Sequence, residues 1–284
     1  MADEVLAGLR DAHVHSGLVD LRVVRRGGIS AVDDLGSAPE TLRAVSDDPL
    51  TPRVRFAGAF LTAPGGYPSD RSWAPPGSYR EVRSPDDGRS AVEEQHRLGA
   101  SFIKVALHAD AGPVLDGRML DAIVSTAHGA GLDVVAHTEG DGMFRTACEH
   151  GVDRLAHAPW TERLDDRALA EAARRMVWIS TLAIHSGQAR EIAISNVRGF
   201  AGHGGIVRYG TDLGNGPLPL GVNAEEIRAL QVAGFTPDDV LDAMTDRTAD
   251  PCRVPGGLDR TPDRFAESLA TAVVVGDPTI RAPE

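Results

Sequence analysis

Asp11-Ala12-His13-Val14-His15 places two histidines two positions apart. In an extended strand, residues i and i+2 point to the same side, so both imidazoles face one surface. Two neutral imidazoles on one face make half of a metal site, although a hydrogen-bonded surface pair would leave the same trace in the sequence. Further ligand-type side chains recur at the ends of short apolar runs. Lys104 lies in Phe102-Ile103-Lys104-Val105, His137 follows Val134-Val135-Ala136, His157 follows Leu155-Ala156, and Asp212 follows Gly210-Thr211. Each alone reads as a satisfied polar residue at a strand terminus. Together they form a set drawn from five separate runs, which coincidence explains poorly. Lys104 stands apart because it is the only lysine among the 29 basic residues. An ammonium in an apolar strand faces a desolvation penalty unless it is paired or chemically altered.

The elements that must position these groups follow from hydrophobic periodicity. Short apolar runs at Leu6–His13, Ile29–Leu35, Val54–Leu61, Phe102–Leu107, Asp133–His137, Arg154–His157, Val177–Leu182 and Val207–Asp212 read as strands. Between them lie stretches with apolar residues three and four apart, as in Met119, Leu120, Ile123, Val124 and Ala127 within Asp116–Ala130. Similar helical patterns occupy Ala91–Leu98, Met143–His150, Asp166–Met176, Gln188–Phe200, Ala224–Val232 and Asp238–Thr245, the last entered through Thr236-Pro237. Alternating strands and helices predict an α/β fold, and this count in 284 residues predicts a (β/α)8 TIM barrel over 1–284 as a single domain. No Gly-x-Gly-x-x-Gly follows the first strand, which weakens a dinucleotide-binding reading. Two Pro- and Gly-rich segments, 63–88 and Leu213–Asn223, follow strands and would lie on the barrel's C-terminal rim. The tail 269–278 reads as a last strand and turn without an obvious partner.

Composition narrows the function classes. With 42% hydrophobic and 25% charged residues the chain is neither disordered nor collagen-like, and Cys148 and Cys252 make no disulfide framework. The formal charge of −12 disfavours nucleic-acid binding, which depends on neutralising phosphates. No apolar run approaches the roughly 20 residues needed to span a bilayer. The first ten residues begin acidic and lack a long apolar core, so no secretory signal is expected and a cytoplasmic location is.

In their order along the chain, the His-x-His pair, Lys104, His137, His157 and Asp212 strongly resemble the ligand set of the amidohydrolase superfamily. Local context is similar to its imidazolonepropionase and prolidase-like branch: Gly99-Ala100-Ser101-Phe102-Ile103-Lys104, Gly151-Val152-Asp153-Arg154-Leu155-Ala156-His157, Gly210-Thr211-Asp212, Thr248-Ala249-Asp250-Pro251 and Val274-Val275-Gly276-Asp277-Pro278. The resemblance implies two divalent metal ions, usually zinc. His13, His15 and Asp212 would hold one and His137 and His157 the other, with Lys104 bridging them as its N6-carboxylated carbamate. An ammonium cannot ligate a cation, whereas a carbamate offers two oxygens, and arginine cannot make this adduct. It further implies that a water shared by the metals is acidified, that Asp212 acts as general base and then acid, and that an amide bond of a small molecule, peptide-like or cyclic, is hydrolysed. Only twelve residues precede His13, so the companion β-sandwich of this branch is expected to be small or absent.

A lactonase or phosphotriester hydrolase would use the same six ligands. A deaminase or decarboxylase would use one metal, and a metal-free binding protein would be expected to have lost a ligand. Glu139, two residues after His137, reads as a deaminase-type proton carrier or, preferably, as a partner of a ligand histidine. His185, Trp160, Tyr67, Trp73 and His108 are candidate substrate contacts, with Tyr79 as a third aromatic of the long rim loop. A small-molecule substrate is the expected partner, with homo-oligomerisation left open.

Overall fold

The structure is a computed structural model that describes residues 2–276. The strands are β1 (Glu4–Leu6), β2 (Gly8–Val14), β3 (Ala31–Asp34), β4 (Arg53–Phe56), β5 (Phe60–Thr62), β6 (Tyr79–Glu81) and β7 (Phe102–His108). They continue with β8 (Asp133–Glu139), β9 (Arg154–Leu155), β10 (Val177–Ile179), β11 (Ile206–Arg208), β12 (Thr245–Asp246), β13 (Cys252–Val254) and β14 (Val273–Val274). The helices are α1 (Leu21–Arg26), α2 (Pro39–Ser46), α3 (Pro85–Arg97), α4 (Gly117–Gly129), α5 (Met143–Glu149), α6 (Asp166–Ala173), α7 (Gly187–Gly202), α8 (Ala224–Val232), α9 (Pro237–Met244) and α10 (Pro262–Leu269).

A parallel seven-stranded sheet runs β11-β10-β9-β8-β7-β5-β6, and a second sheet runs β12-β2-β3-β4, with only β12 antiparallel. Backbone hydrogen bonds join the two in two places. Ala12 N donates to Tyr209 O (2.9 Å) and His15 N to Leu213 O (2.8 Å), tying β2 to the chain after β11. Ser101 N donates to Phe56 O (2.8 Å), tying β4 to the start of β7. Inside, Ala12, Leu35, Ala57, Phe102, Val135, Ala156 and Ile179 form a small apolar cluster of their own. Outside, the larger core packs strands against helix faces such as Leu120, Ile123 and Ala127 of α4 and Ala193, Val197 and Phe200 of α7. The three- and four-residue spacing puts each set on one side of its helix, and full burial of a large apolar side chain contributes about 1.5–3 kcal/mol.

Helix starts follow local chemistry. The Asp116 carboxylate accepts from Met119 N (2.8 Å) to open α4, and Ser84 Oγ accepts from Asp87 N (3.1 Å) to open α3. Thr236 and Asp239 form a reciprocal capping box on α9. Among the described residues, no helix is long and apolar enough to cross a membrane.

Four expectations are corrected in detail. The segment 63–88 is not wholly irregular, because Tyr79–Glu81 pairs with β5 and α3 already starts at Pro85. A three-residue edge strand shows no periodicity, and the Pro- and Gly-bearing first turn of α3 resembles a loop. The first strand breaks at Ala7, so that β1 joins β13 while β2 carries the histidines. The third divides at Gly58, whose φ of +77° ends β4 before β5 begins. In the tail, Leu269 still belongs to α10 and only Val273–Val274 is strand, pairing with β13; positions 277 and 278 lie outside the described residues. β1, β13 and β14 make a three-stranded antiparallel sheet.

Gly210 is required by close approach. A Cβ there would lie 2.3 Å from Ile179 Cγ2 and 3.1 Å from His13 N. Gly210→Ala should therefore cost about 1–3 kcal/mol of stability in denaturant unfolding. A midpoint equal to wild type would show that β2 and β10 have room to spare.

Candidate metal centre

Strand alternation sets the direction of the chemistry. On β7, Phe102 enters the interior cluster and Lys104, two residues on, lines the cavity above it. On β8, Val135 enters the same cluster while His137 and Glu139 line the cavity. His13 and His15 come from the end of β2, His157 from just past β9, and Asp212 from the turn after β11. All of them line one cavity of about 550 Å³. The sequence-derived ligand set is thus brought together, and His13, His15, Lys104, His137, His157 and Asp212 are all buried.

Asp212 Oδ1 lies 3.1 Å from His13 Nε2 and 3.1 Å from His15 Nε2. Each imidazole is oriented from behind: His13 Nδ1 is 2.8 Å from Ala156 O, and His15 Nδ1 is 3.0 Å from Gly36 O. Donation of Nδ1–H to a carbonyl leaves the Nε2 lone pair free for a cation. His13 Nε2 is buried without a hydrogen-bond partner among the described residues, despite its nearness to Asp212. Two such nitrogens and a carboxylate oxygen, all within 4.8 Å of one another, suit a divalent ion. His157 Nδ1 sits 2.9 Å from Thr181 Oγ1, and its ring centroid lies 4.7 Å from that of His13 and 4.9 Å from that of His137.

Electrostatics favour neutral imidazoles and an ionised carboxylate. Burial holds His13 and His157 well below the usual histidine range and lowers His137. Burial acts the same way on His15, but the hydrogen bond to Asp212 and the charges of Asp212 and Asp34 outweigh it and raise that imidazole. For Asp212, burial pushes upward, yet its contacts with His13 and the hydrogen bond with His15 hold the carboxyl well below the usual range. Burial lowers Lys104 to about 7 against the pull of Asp212 and Asp34. Its amine has no hydrogen bond or ion pair with a described residue and faces the Phe60 ring at 5.6 Å.

Glu139 Oε2 lies 3.2 Å from His137 Nε2 and 3.1 Å from His108 Nε2, a second grouping whose ligand atoms fall within 4.8 Å. Tyr67 stacks on His137 with centroids 5.1 Å apart, Trp73 lies 6.3 Å from His15, and Trp160 lies 4.6 Å from His185. Tyr67, Trp73, Trp160 and His185 line the cavity; His108 reaches it through Glu139, Tyr67 and His137, and Tyr79 is not among the lining residues.

Several supporting residues escaped sequence reasoning. Asn215 Nδ2 donates to Asp212 Oδ2 (2.8 Å). Asp11 accepts from His13 N (3.0 Å) and from Thr211 N (3.1 Å), pinning β2 to the turn that carries Asp212. Asp34 accepts from Ser16 N (2.8 Å), Gly36 N (2.9 Å) and Ser37 Oγ (2.7 Å), shaping the loop whose carbonyl orients His15. Glu226 of α8 accepts from Ala183 N (2.7 Å), fixing the 3-10 turn Leu182–Ile184 that leads to His185. Asp11 was the one with a visible signal, since it belongs to the His-x-His run.

No family model matches the chain. Uncharacterized proteins of Mycobacterium tuberculosis and Mycobacterium bovis are 27% identical to it over 279 residues, covering 84% of this chain and 72% of theirs. Among solved structures, a Xaa-Pro dipeptidase with methionine in its active site superposes with a TM-score of 0.76 at 19% identity, covering 95% of this chain and 84% of the dipeptidase. The ochratoxinase of A. niger superposes at 0.74 and 19% identity (93% and 79% covered), and an amidohydrolase at 0.72 and 20% (93% and 82%). What they share with this chain at such identities is the fold.

Burial raises Glu226 to about 7 from an ordinary value of 4.5. The folded chain therefore keeps that proton over a range in which the unfolded chain has released it. Stability should fall as pH rises from about 4.5 to about 7, with a contribution on the order of 1 kcal/mol per pH unit. Glu226→Gln should flatten that slope in unfolding experiments across the range. Equal slopes in both proteins would show that Glu226 titrates normally.

Proposed function

We propose that this chain is a metal-dependent hydrolase of the amidohydrolase superfamily, in its imidazolonepropionase and prolidase-like branch, that cleaves an amide bond of a small molecule. The observation that carries the reading is Asp212 Oδ1 at 3.1 Å from the Nε2 atoms of both His13 and His15, in a cavity also lined by Lys104, His137 and His157. The hydrogen bonds that join β2 to the chain after β11 and β4 to the start of β7 support a closed (β/α)8 barrel with this cavity at the C-terminal ends of its strands. The similar structures include hydrolases by name, a dipeptidase, an ochratoxinase and a molinate hydrolase among them.

Two divalent ions held by these residues would supply an acidified water and polarise the scissile carbonyl. Lys104 would join the ligand set after its amine takes up carbon dioxide, and a lysine lowered to about 7 has unprotonated amine available for that addition near neutral pH. Asp212, steadied by Asn215 and by Asp11 through Thr211, would accept the proton of the attacking water and return it to the leaving nitrogen. His185, whose Nε2 is buried without a hydrogen-bond partner among the described residues, would meet a polar atom of the substrate beside Trp160. Tyr67 and Trp73 would cover its apolar part.

Purified protein should hold about two divalent ions per chain by elemental analysis. Lys104→Ala should lose metal and activity, with partial recovery in short carboxylic acids that stand in for the carbamate. A fully metallated, active Lys104→Ala protein would overturn the bridge. Asp212→Asn should keep its fold by circular dichroism while turnover of a responsive dipeptide or N-acyl amino acid falls about 10²–10⁴-fold; near-normal rates would remove Asp212 from proton transfer.

A further inference from the structure

At the opposite ends of the same strands lies a second cavity, of about 340 Å³. Arg10, Arg154 and Arg208 in its wall stand three or four residues before His13, His157 and Asp212 along the chain, about 10–13 Å of strand away. Arg53, Arg55 and Arg247 complete its basic lining, against only two carboxylates, Asp33 and Asp246.

Part of this network holds the fold together. Arg10 bridges Asp33 and Asp246, Arg55 forks onto Asp33 (2.8 and 2.7 Å), and Arg154 pairs with Asp133. Phe102 of the interior cluster carries the guanidinium carbons of Arg55 and Arg154 at 5.2 and 5.6 Å from its ring centroid. The other three arginines have no carboxylate partner among the described residues. Arg53 donates to Thr248 O (3.1 Å), Arg208 donates to Asp242 O (3.2 Å), and Arg247 makes no described hydrogen bond or ion pair. Burial and the charges of Arg154 and Arg55 lower the Arg208 guanidinium against the opposing pull of Asp242 and Asp33, so these cations feel one another. Structural pairing would place a carboxylate beside each guanidinium. A chain with 41 acidic residues and a net charge of −12 instead leaves an uncompensated positive hollow here.

We propose that this hollow binds a small, multiply charged oxyanion, held by Arg53, Arg208 and Arg247, at a site separate from the metal centre. Guanidinium forks match the oxygens of a phosphate or of paired carboxylates. The volume suits a small phosphorylated or polycarboxylate molecule. The interior cluster of Ala12, Leu35, Ala57, Phe102, Val135, Ala156 and Ile179 stands between the two cavities, so the ligand would not reach the metal centre through the barrel.

Calorimetric titration of the metal-loaded protein at constant ionic strength, with inorganic phosphate in one arm and succinate in the other, tests the site. Saturable binding of at least one is expected, weakened roughly tenfold or more in Arg53→Gln/Arg208→Gln. Phosphate alone would mark a phosphorylated ligand and succinate alone a polycarboxylate. No saturable binding of either anion would overturn the proposal. Equal binding by the double variant would also overturn it, because it would place the anion at the metal centre. Should the double variant lose its circular dichroism spectrum, Arg247→Ala, which breaks no described contact, is read by the same criterion.

Discussion

One carboxylate oxygen shared by two imidazole nitrogens is the constraint around which this chain is arranged. Asp212 Oδ1 meets His13 and His15 only because the turn after β11 is drawn against β2. Asp212 adopts a left-handed φ of 56°, a conformation that costs a non-glycine residue on the order of 1–3 kcal/mol. The surroundings over-determine it. Leu213 hydrogen-bonds with both His13 and His15, Asp11 grips Thr211 by N and Oγ1, and Asn215 holds the second carboxylate oxygen. Gly210 completes the approach, since any side chain there would push β2 away from β10.

The same crowding decides the protonation states. Three of the four cavity histidines from these strands, His13, His137 and His157, are lowered by burial, while His15 is raised by the acid it faces, so charge is concentrated on the His15–Asp212 pair. Lys104 is the exception in kind. A buried amine facing an aromatic ring gains little as a cation, and its position on a strand that otherwise holds Phe102, Ile103 and Val105 gives it no local reason to exist. Arginine, which fills nearly every other basic position, stays protonated and could not take up carbon dioxide. The composition of the chain and the geometry of the cavity therefore point at one residue.

The convergence of these six residues on one cavity was legible because they obey strand rules. His13 and His15 share a parity, Lys104 interrupts the apolar run of β7, and His137 ends the apolar run of β8. The residues that aim them were not, because they act through loops with no periodicity. Asp34 reaches Ser16, Gly36 and Ser37 across a turn, Thr181 supports His157 from a left-handed position, and Glu226 shapes a turn more than forty residues away in sequence. Strand existence was readable, whereas strand ends were not, since β9, β10 and β11 are two or three residues long and the rest of each apolar run passes into turns. The contact of His108 with Glu139 had a signal, as the two residues end neighbouring strands in register.

Alternation along β7 and β8 also explains why the interior between the sheets is layered. Phe102 and Val135 fill the middle layer, and Lys104 and His137 rise above it. Below it, Arg55 and Arg154 lie over Phe102, as Lys104 lies over Phe60 in the layer above. For the guanidinium groups below, the aromatic face partly offsets the loss of water. The layers then diverge in the anions they are given. Above, an ionised carboxylate and three imidazoles lowered by burial leave room for added positive charge; below, arginines outnumber carboxylates and leave room for added negative charge. Seven apolar side chains between them keep these opposite demands from cancelling each other.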